Sequence, residues 1–312
     1  MPGPIADNGV MGDQRVVETA EAVGRAIDPR AELGEFLRSR RARLRPADVG
    51  LPDSGRYRRV PGLRREELAQ LAGVSVAYLT RLEQGRSPNV SDEVLDAIAR
   101  ALRLTGAERA HLEHLARRQH RPRPAPPPRQ QVRPALRGLL ASLDGTVPAY
   151  VAGRRSDILA WNPLVSAVFG DWDRMPPEER NCARLIFLNP DYRALFVDWE
   201  AQAAEIVAAL RLDAGRHPDD PRLVRLVGEL SVKSADFRRL WARHDVKENA
   251  HGLKHLRHPL VGELRLSLET LRLPADPDQA LILYHAEPGS PTAENLRLLA
   301  SWGPDATSAP RA

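Results

Sequence analysis

Five of the seven residues from Pro122 to Pro128 are proline. Proline fixes φ and carries no backbone N–H, so neither a helix nor a central strand crosses such a run, and the backbone is driven into an extended, semi-rigid spacer. The run divides the 312-residue chain into two parts, each long enough to bury a core. The expected organisation is a flexible arm over 1–29, a helical domain over 30–119, a Pro-rich linker over 120–132, a mixed domain over 133–303 and a disordered tail over 304–312. The arm opens on glycine and proline and shows no sustained hydrophobic period beyond a short helix around Val16–Ala26. Proline-rich stretches also serve as ligands for aromatic-lined grooves, but between two folded parts the linker reading is preferred.

A single cysteine, Cys182, excludes an intramolecular disulfide and a Cys-x-x-Cys metal or redox motif. No apolar run approaches the ~18–20 residues needed to cross a bilayer, and no apolar segment follows basic residues at the N-terminus. The chain therefore reads as cytoplasmic, without membrane insertion. Its net charge is +5, and only Lys233, Lys247 and Lys254 among 46 basic residues are lysines. Such a bias follows from codon composition alone, so the overall charge decides nothing. Its location does: between Arg30 and Arg65 stand 11 arginines against the acids Glu32, Glu35, Asp48 and Asp53, a local excess larger than that of the whole chain. A concentrated positive excess is the footprint expected for a polyanionic partner. The run Arg38–Arg45 within it also fits a merely solvated helix face.

Residues 64–85 carry the sharpest signal. Leu68, Leu71 and Ala72 give one apolar face to a short helix, Gly73 supplies a residue able to enter the left-handed region, and Ser75 caps a second helix that buries Leu79 and Leu82 and stops at Gly85. Ala69 stands where two helices crossing at about 90–120° would meet, and its small side chain permits that approach. Flanking helices are predicted over Glu32–Leu44, Asp92–Leu102 and Thr105–Arg117.

The residues Ala69, Gly73, Val74, Ser75, Leu82, Glu83 and Gly85 resemble the Ala-x-x-x-Gly-Val-Ser and Leu-Glu-x-Gly words of the lambda-repressor-like (XRE) helix-turn-helix family. The resemblance implies an all-α, five-helix DNA-binding domain, here with a long insert at Arg45–Leu63. The words of that insert, Asp-Val-Gly-Leu-Pro and Arg-Arg-Val-Pro-Gly-Leu-Arg-Arg-Glu-Glu, look like the MmyB-like subgroup. So do Trp161-Asn162, His258-Pro259, Asp276-Pro-Asp-Gln and Ala286-Glu-Pro-Gly-Ser-Pro further on. That likeness implies a C-terminal α+β, PAS-like domain with an antiparallel sheet that binds a small apolar or fatty-acid-like ligand.

On the helix after Ser75, the residues facing away from Leu79 and Leu82 are Val76, Ala77, Thr80 and Arg81. These are the candidates for base contacts: Arg81 for guanine O6 and N7, Val76 and Ala77 for thymine methyls. Arg81 could instead pair locally with Glu83 or Gln84. Arg65, Ser75 and Arg86 are the leading phosphate candidates, followed by Arg43 and Arg64, with Arg41, Arg58 and Arg59 weaker. Tyr78 could touch a phosphate or pack on the insert. One such module reads few base pairs, so a homodimer on double-stranded DNA is expected.

In the second domain the strands are predicted at 147–152, 156–161, 251–257, 260–273 and 280–286. Asn162-Pro163 opens a helix, and further helices follow at Tyr192–Leu212, Pro221–Leu230, Ser234–Arg243 and Pro291–Trp302. No nucleophile elbow, phosphate loop or paired-histidine motif is present, so no catalytic residue and no cofactor is expected. His251, His255 and His258 crowd one segment. On a strand, however, 258 faces away from the other two, and no metal site is assigned. Trp161, Phe169, Phe187, Phe196, Phe237, Trp241 and His244 are the candidate pocket residues. Ordinary core is the alternative for the aromatics, Trp199 among them. Arg243, His244 and Lys254 are candidates for an acidic head group. Two other readings stay open: an interaction platform fused to an uncharacterised enzyme, and a DNA-binding protein whose second domain only dimerises.

Overall fold

The computed structural model describes residues 29–52, 62–86, 90–117, 130–248 and 250–302. The expected arm, most of the insert with Arg58 and Arg59, the proline run and the tail lie outside the described residues. Two units emerge. The first contains the described residues up to 117 together with 214–235 and 242–246; the second contains 130–213, 236–241 and 247–302 apart from 249. Residues 214–235 and 242–246, expected with the second domain, are thus counted in the first unit.

In the first unit α1 (Pro29–Arg43), α2 (Arg65–Ala72), α3 (Val76–Glu83), α4 (Asp92–Ala101) and α5 (Gly106–Arg117) form a helical body. The caps follow from sequence. Ser91 Oγ accepts the Val94 N–H, and Thr105 and Glu108 exchange hydrogen bonds as a capping box that starts α5. Leu33, Phe36, Leu37, Leu68, Leu79, Leu82, Ile98 and Leu112 are completely buried, one apolar stripe from each helix. Helix α11 (Pro221–Lys233), also in this unit, buries Leu223, Leu226, Val227 and Leu230 behind an Asp220 cap.

The second unit is built on a five-stranded sheet of β1 (Ala149–Ala152), β2 (Ile158–Trp161), β3 (His251–His258), β4 (Gly262–Arg272) and β5 (Ala280–His285). The spatial order is β2-β1-β5-β4-β3 and every pairing is antiparallel. One face is aliphatic: Ala149, Val151, Ala160 and Leu281 pack on Leu136 and Leu140 of α6 (Pro134–Ser142), a helix the sequence reading did not anticipate. Register places Tyr150 opposite Ile282, Tyr284 opposite Leu268 and Lys254 opposite Leu266, so the other face carries two tyrosines and a lysine among aliphatic residues. Helices α7 (Pro163–Phe169), α8 (Cys182–Leu188), α9 (Pro190–Leu195), α10 (Trp199–Arg216), α12 (Ala235–Trp241) and α13 (Pro291–Trp302) complete the helix order.

The hairpin and the Asn162 cap match expectation. Asn162 Oδ1 accepts the Val165 N–H at 3.1 Å and the Ala149 N–H at 3.0 Å, joining helix start to strand start. The single helix predicted over Tyr192–Leu212 is broken. Phe196 bridges Leu256, and Val197 N–H donates to the His255 carbonyl at 3.1 Å, so the chain extends along the edge of β3 before Asp198 caps α10. Pairing at an open sheet edge outweighs the helical period there. Among the described residues no helix is long and apolar enough to cross a membrane.

Candidate nucleic-acid interface and candidate ligand site

The turn between α2 and α3 is made by backbone conformation. Gly73 takes φ 67°, its N–H donates to Gln70 O at 3.2 Å, and Val74 N–H donates to Ala69 O at 3.0 Å. Ser75 Oγ then accepts the Tyr78 N–H at 3.1 Å and starts α3. With Leu79 and Leu82 turned inward, Val76, Ala77 and Arg81 are exposed, while Tyr78 and Thr80 are half-buried. The Thr80 hydroxyl donates to Val76 O at 2.8 Å. The Arg81 guanidinium has no hydrogen bond or ion pair among the described residues.

The local pairing of Arg81 with Glu83 is not formed because Glu83 points the other way. Only 2% exposed, its carboxylate accepts Arg41 Nε at 3.2 Å and Arg65 Nε at 2.8 Å. The Arg38 guanidinium donates to the Glu83 carbonyl at 3.3 Å. A cysteine-sized group could not stand at Gly34 of α1 either, since even a Cβ there would lie 2.1 Å from that carbonyl oxygen. An acid in the last turn of a helix opposes the dipole, and that misfit is the sequence signal that could have exposed the role of Glu83. Gly34 left no such trace.

The phosphate candidates separate by what holds them. Ser75, Arg64 and Arg86 are exposed at the ends of α2 and α3, and Arg65 is braced by Glu83 with 38% of its side chain still exposed. Arg43 sits differently: its guanidinium pairs with Asp245 and donates to the Arg243 carbonyl at 2.9 Å. The solvated-face reading of Arg38–Arg45 fits Arg38, Arg43 and Arg45, which stay at least 40% exposed, but not Arg40. Arg40 is 3% exposed, pairs with Glu108 at 2.9 Å and donates to the His244 carbonyl at 2.5 Å. Part of the basic excess is therefore neutralised within the first unit.

The candidate pocket residues fall in three places. Phe169 centres one aromatic cluster: its ring centroid lies 6.3 Å from Phe196, 6.2 Å from Tyr192, 6.4 Å from Trp172 and 4.9 Å from Tyr284, with Trp161 edge-on to Trp172. Phe187 begins a second, 5.2 Å from Phe237, which stacks on Trp241; Arg211 lies over Trp241 and Arg193 over Trp199. His244 joins neither. It belongs to the first unit, where Nδ1 meets Glu32 Oε1 at 3.2 Å, and its φ is 52°.

Tyr150, Trp172, Cys182, Tyr192 and Tyr284 were not singled out from the sequence. The hydroxyl of Tyr150 lies 3.6 Å from Cys182 Sγ. Burial, then mutual repulsion, raises Tyr150, Tyr192 and Tyr284 above the ordinary phenol range, and burial pushes Cys182 up to about 11, so all four stay neutral at physiological pH. Beside them Lys254 Nζ contacts Glu205 Oε2 at 2.5 Å, and Lys247 contacts Oε1 at 2.8 Å. Partial burial works against the Glu205 carboxylate, but both lysines hold it below its usual range. The histidine-rich segment is dispersed: His258 Nε2 lies 3.0 Å from the Ala167 carbonyl, and His255 Nε2 lies 3.2 Å from Glu263. Among the described residues no three His, Cys, Asp or Glu side chains are placed to share a metal.

A helix-turn-helix domain family matches residues 32–112, and the family described as MmyB-like transcription regulator ligand binding domain matches residues 132–299, more than half of the chain. A comparison with curated proteins finds no match. With a capped reading helix on one side and a polar-faced sheet inside the second match, the chain belongs to the MmyB-like transcription regulators, DNA-binding proteins that join a helix-turn-helix domain to a ligand-binding domain.

Proposed function

We propose that this regulator binds its operator as a homodimer, with α3 of each copy in the major groove. Arg81 reads a guanine, Val76 and Ala77 pack on thymine methyls, and Thr80 contributes its methyl. Ser75, Arg64, Arg65 and Arg86 hold phosphates, with Arg43 reaching one only by leaving Asp245. The observation that carries this reading is the outward row Val76, Ala77 and Arg81, with a guanidinium engaged by nothing else among the described residues. In the same reading the second domain is PAS-like and cytoplasmic, and holds a small apolar or fatty-acid-like molecule against the tyrosine-bearing face of its sheet. The Pro-rich segment 120–132 serves as the connector. Ligand occupancy shifts DNA affinity because one arrangement of the protein binds the ligand better than another.

Fluorescence anisotropy with duplexes drawn from the gene's own neighbourhood, at two salt concentrations, tests the proposal. The expected result is binding tighter than to random duplex that weakens steeply with salt, with two protein chains per site. Equal affinity for random and neighbouring duplexes would contradict it.

A further inference from the structure

Residues 242–246 belong by family to the ligand-binding domain, yet they are built into the same compact unit as the helix-turn-helix. Arg40 of α1 anchors them. Its guanidinium lies over the Phe36 ring, pairs with Glu108 of α5 at 2.9 Å and donates to the His244 carbonyl at 2.5 Å. His244 holds φ 52°, a conformation that glycine adopts at less cost, and its side chain earns the position by reaching Glu32 of α1 at 3.2 Å. At the outer edge Asp245 pairs with Arg43, whose guanidinium also donates to the Arg243 carbonyl at 2.9 Å. The side chains of Arg43 and Asp245 remain 45% and 37% exposed, against 3% for Arg40, so the outer pair can open while the buried one holds. The end of α1 that carries Arg43 lies against the entry to α2. Leu63 N–H donates to the Arg41 carbonyl at 3.0 Å, Arg41 Nη1 donates to the Leu63 carbonyl at 2.8 Å, and a Cβ at Gly62 would stand 2.5 Å from Ala42 Cα. Arg64 and Arg65, the phosphate candidates of α2, follow directly in the chain.

We propose that residues 242–246 form an autoinhibitory clasp: the Asp245 carboxylate holds Arg43 in place of a DNA phosphate, and the protein binds DNA with one phosphate contact fewer than its arginines allow. This rests on the reading of Arg43 as a phosphate ligand, and it supplies the competitor. A carboxylate and a phosphate suit the same planar guanidinium, but to serve both at once it would have to bring two anions side by side, where they repel. Exchange of one for the other is cheap, because an exposed ion pair in water is weak. The clasp also has a handle in the second unit. The chain runs into it directly from Trp241, which stacks on Phe237, and reaches Asp245 four positions later, so a displacement of α12 is passed on to the carboxylate through a short length of backbone.

The test follows fluorescence anisotropy of the full-length protein on a duplex from the gene's own neighbourhood and on a random duplex of the same length, across a salt series, for the parent, Asp245→Asn, Arg43→Ala and the double variant. Asp245→Asn is expected to bind both duplexes about three- to tenfold more tightly at low salt, and its slope of log affinity against log salt should steepen by about 0.9, the signature of one added phosphate contact. Arg43→Ala should change the parent by less than about twofold and cancel the whole gain in the double variant. Melting temperatures of the four proteins should stay close, because the pair is exposed. Asp245→Asn without tighter binding overturns the proposal, as does a gain that survives Arg43→Ala, which a general loss of negative charge would produce. If Arg43→Ala weakens the parent as much as it weakens Asp245→Asn, the clasp falls and Arg43 keeps its phosphate; if it changes neither, both fall. Equal affinity for the two duplexes contradicts only the operator reading, since phosphate contacts carry no sequence and the gain is read on either duplex.

Discussion

Gly34 has no side chain because the carbonyl of Glu83 occupies the space where one would stand, 2.1 Å from an added Cβ. This contact joins α1 to the end of α3 and is reinforced by Arg38 on the carbonyl and by Arg41 and Arg65 on the carboxylate. Gly34→Ala is expected to destabilise the protein by about 1–3 kcal/mol, because helix backbone rather than a flexible side-chain end must give way. Gly106→Ala, where an added Cβ meets nothing, should leave stability unchanged or raise it. Urea unfolding of both variants checks the pair; equal stability of the two would refute the close-approach account. At this scale the sequence showed Ala69, Gly73 and Ser75 because each owes its identity to local turn and cap chemistry. Gly34 and Glu83 meet across 49 positions of chain, and no local pattern marks such a meeting.

Elements were legible where a cap and a period agree. Asn162-Pro163 and the helices of the reading module follow from that agreement, whereas α6 and α8 were passed over because each is short, 9 and 7 residues, and flanked by loop. The break between α9 and α10 is set by β3, whose edge recruits Phe196 and Val197, a long-range demand that helical periodicity does not contain. Strand β3 also ends on a histidine whose tautomer is fixed: Leu260 N–H donates to His258 Nδ1 at 3.3 Å, so Nε2 carries the proton shared with the Ala167 carbonyl of α7. Burial lowers the His258 pKa below its ordinary value, only partly opposed by that carbonyl. The unfolded chain therefore takes up a proton near pH 6.5 that the folded one resists, and stability falls as pH drops through that value towards the lower folded pKa. Melting temperatures at pH 7.5 and 5.5 should differ less in His258→Gln than in the parent protein. An unchanged difference would show that another group carries the acid sensitivity.

Across the whole molecule, two compact units appear, and residues 214–235 and 242–246, which the sequence reading expected with the second domain, are counted with the reading module. Within that unit the 242–246 segment is fastened to α1 through Arg40, Arg43 and Glu32; the sequence offered Arg40 as part of a solvated face and Arg43 as a phosphate ligand. Arginine is equally suited to a phosphate and to a buried carboxylate, so charge counting alone could not choose between them. The second unit was legible as an antiparallel sheet with helices. Its polar interior was not, because tyrosines in a strand pattern look like ordinary half-buried residues until register puts them on one face. Base reading by α3 is tested by measuring Arg81→Ala against the parent protein on an operator and on the same operator with its contacted guanine replaced. The parent protein is expected to discriminate the two duplexes by about 1–3 kcal/mol and the variant not to, with a nearly unchanged response to salt. A variant that weakens equally on both duplexes and keeps the discrimination would contradict it.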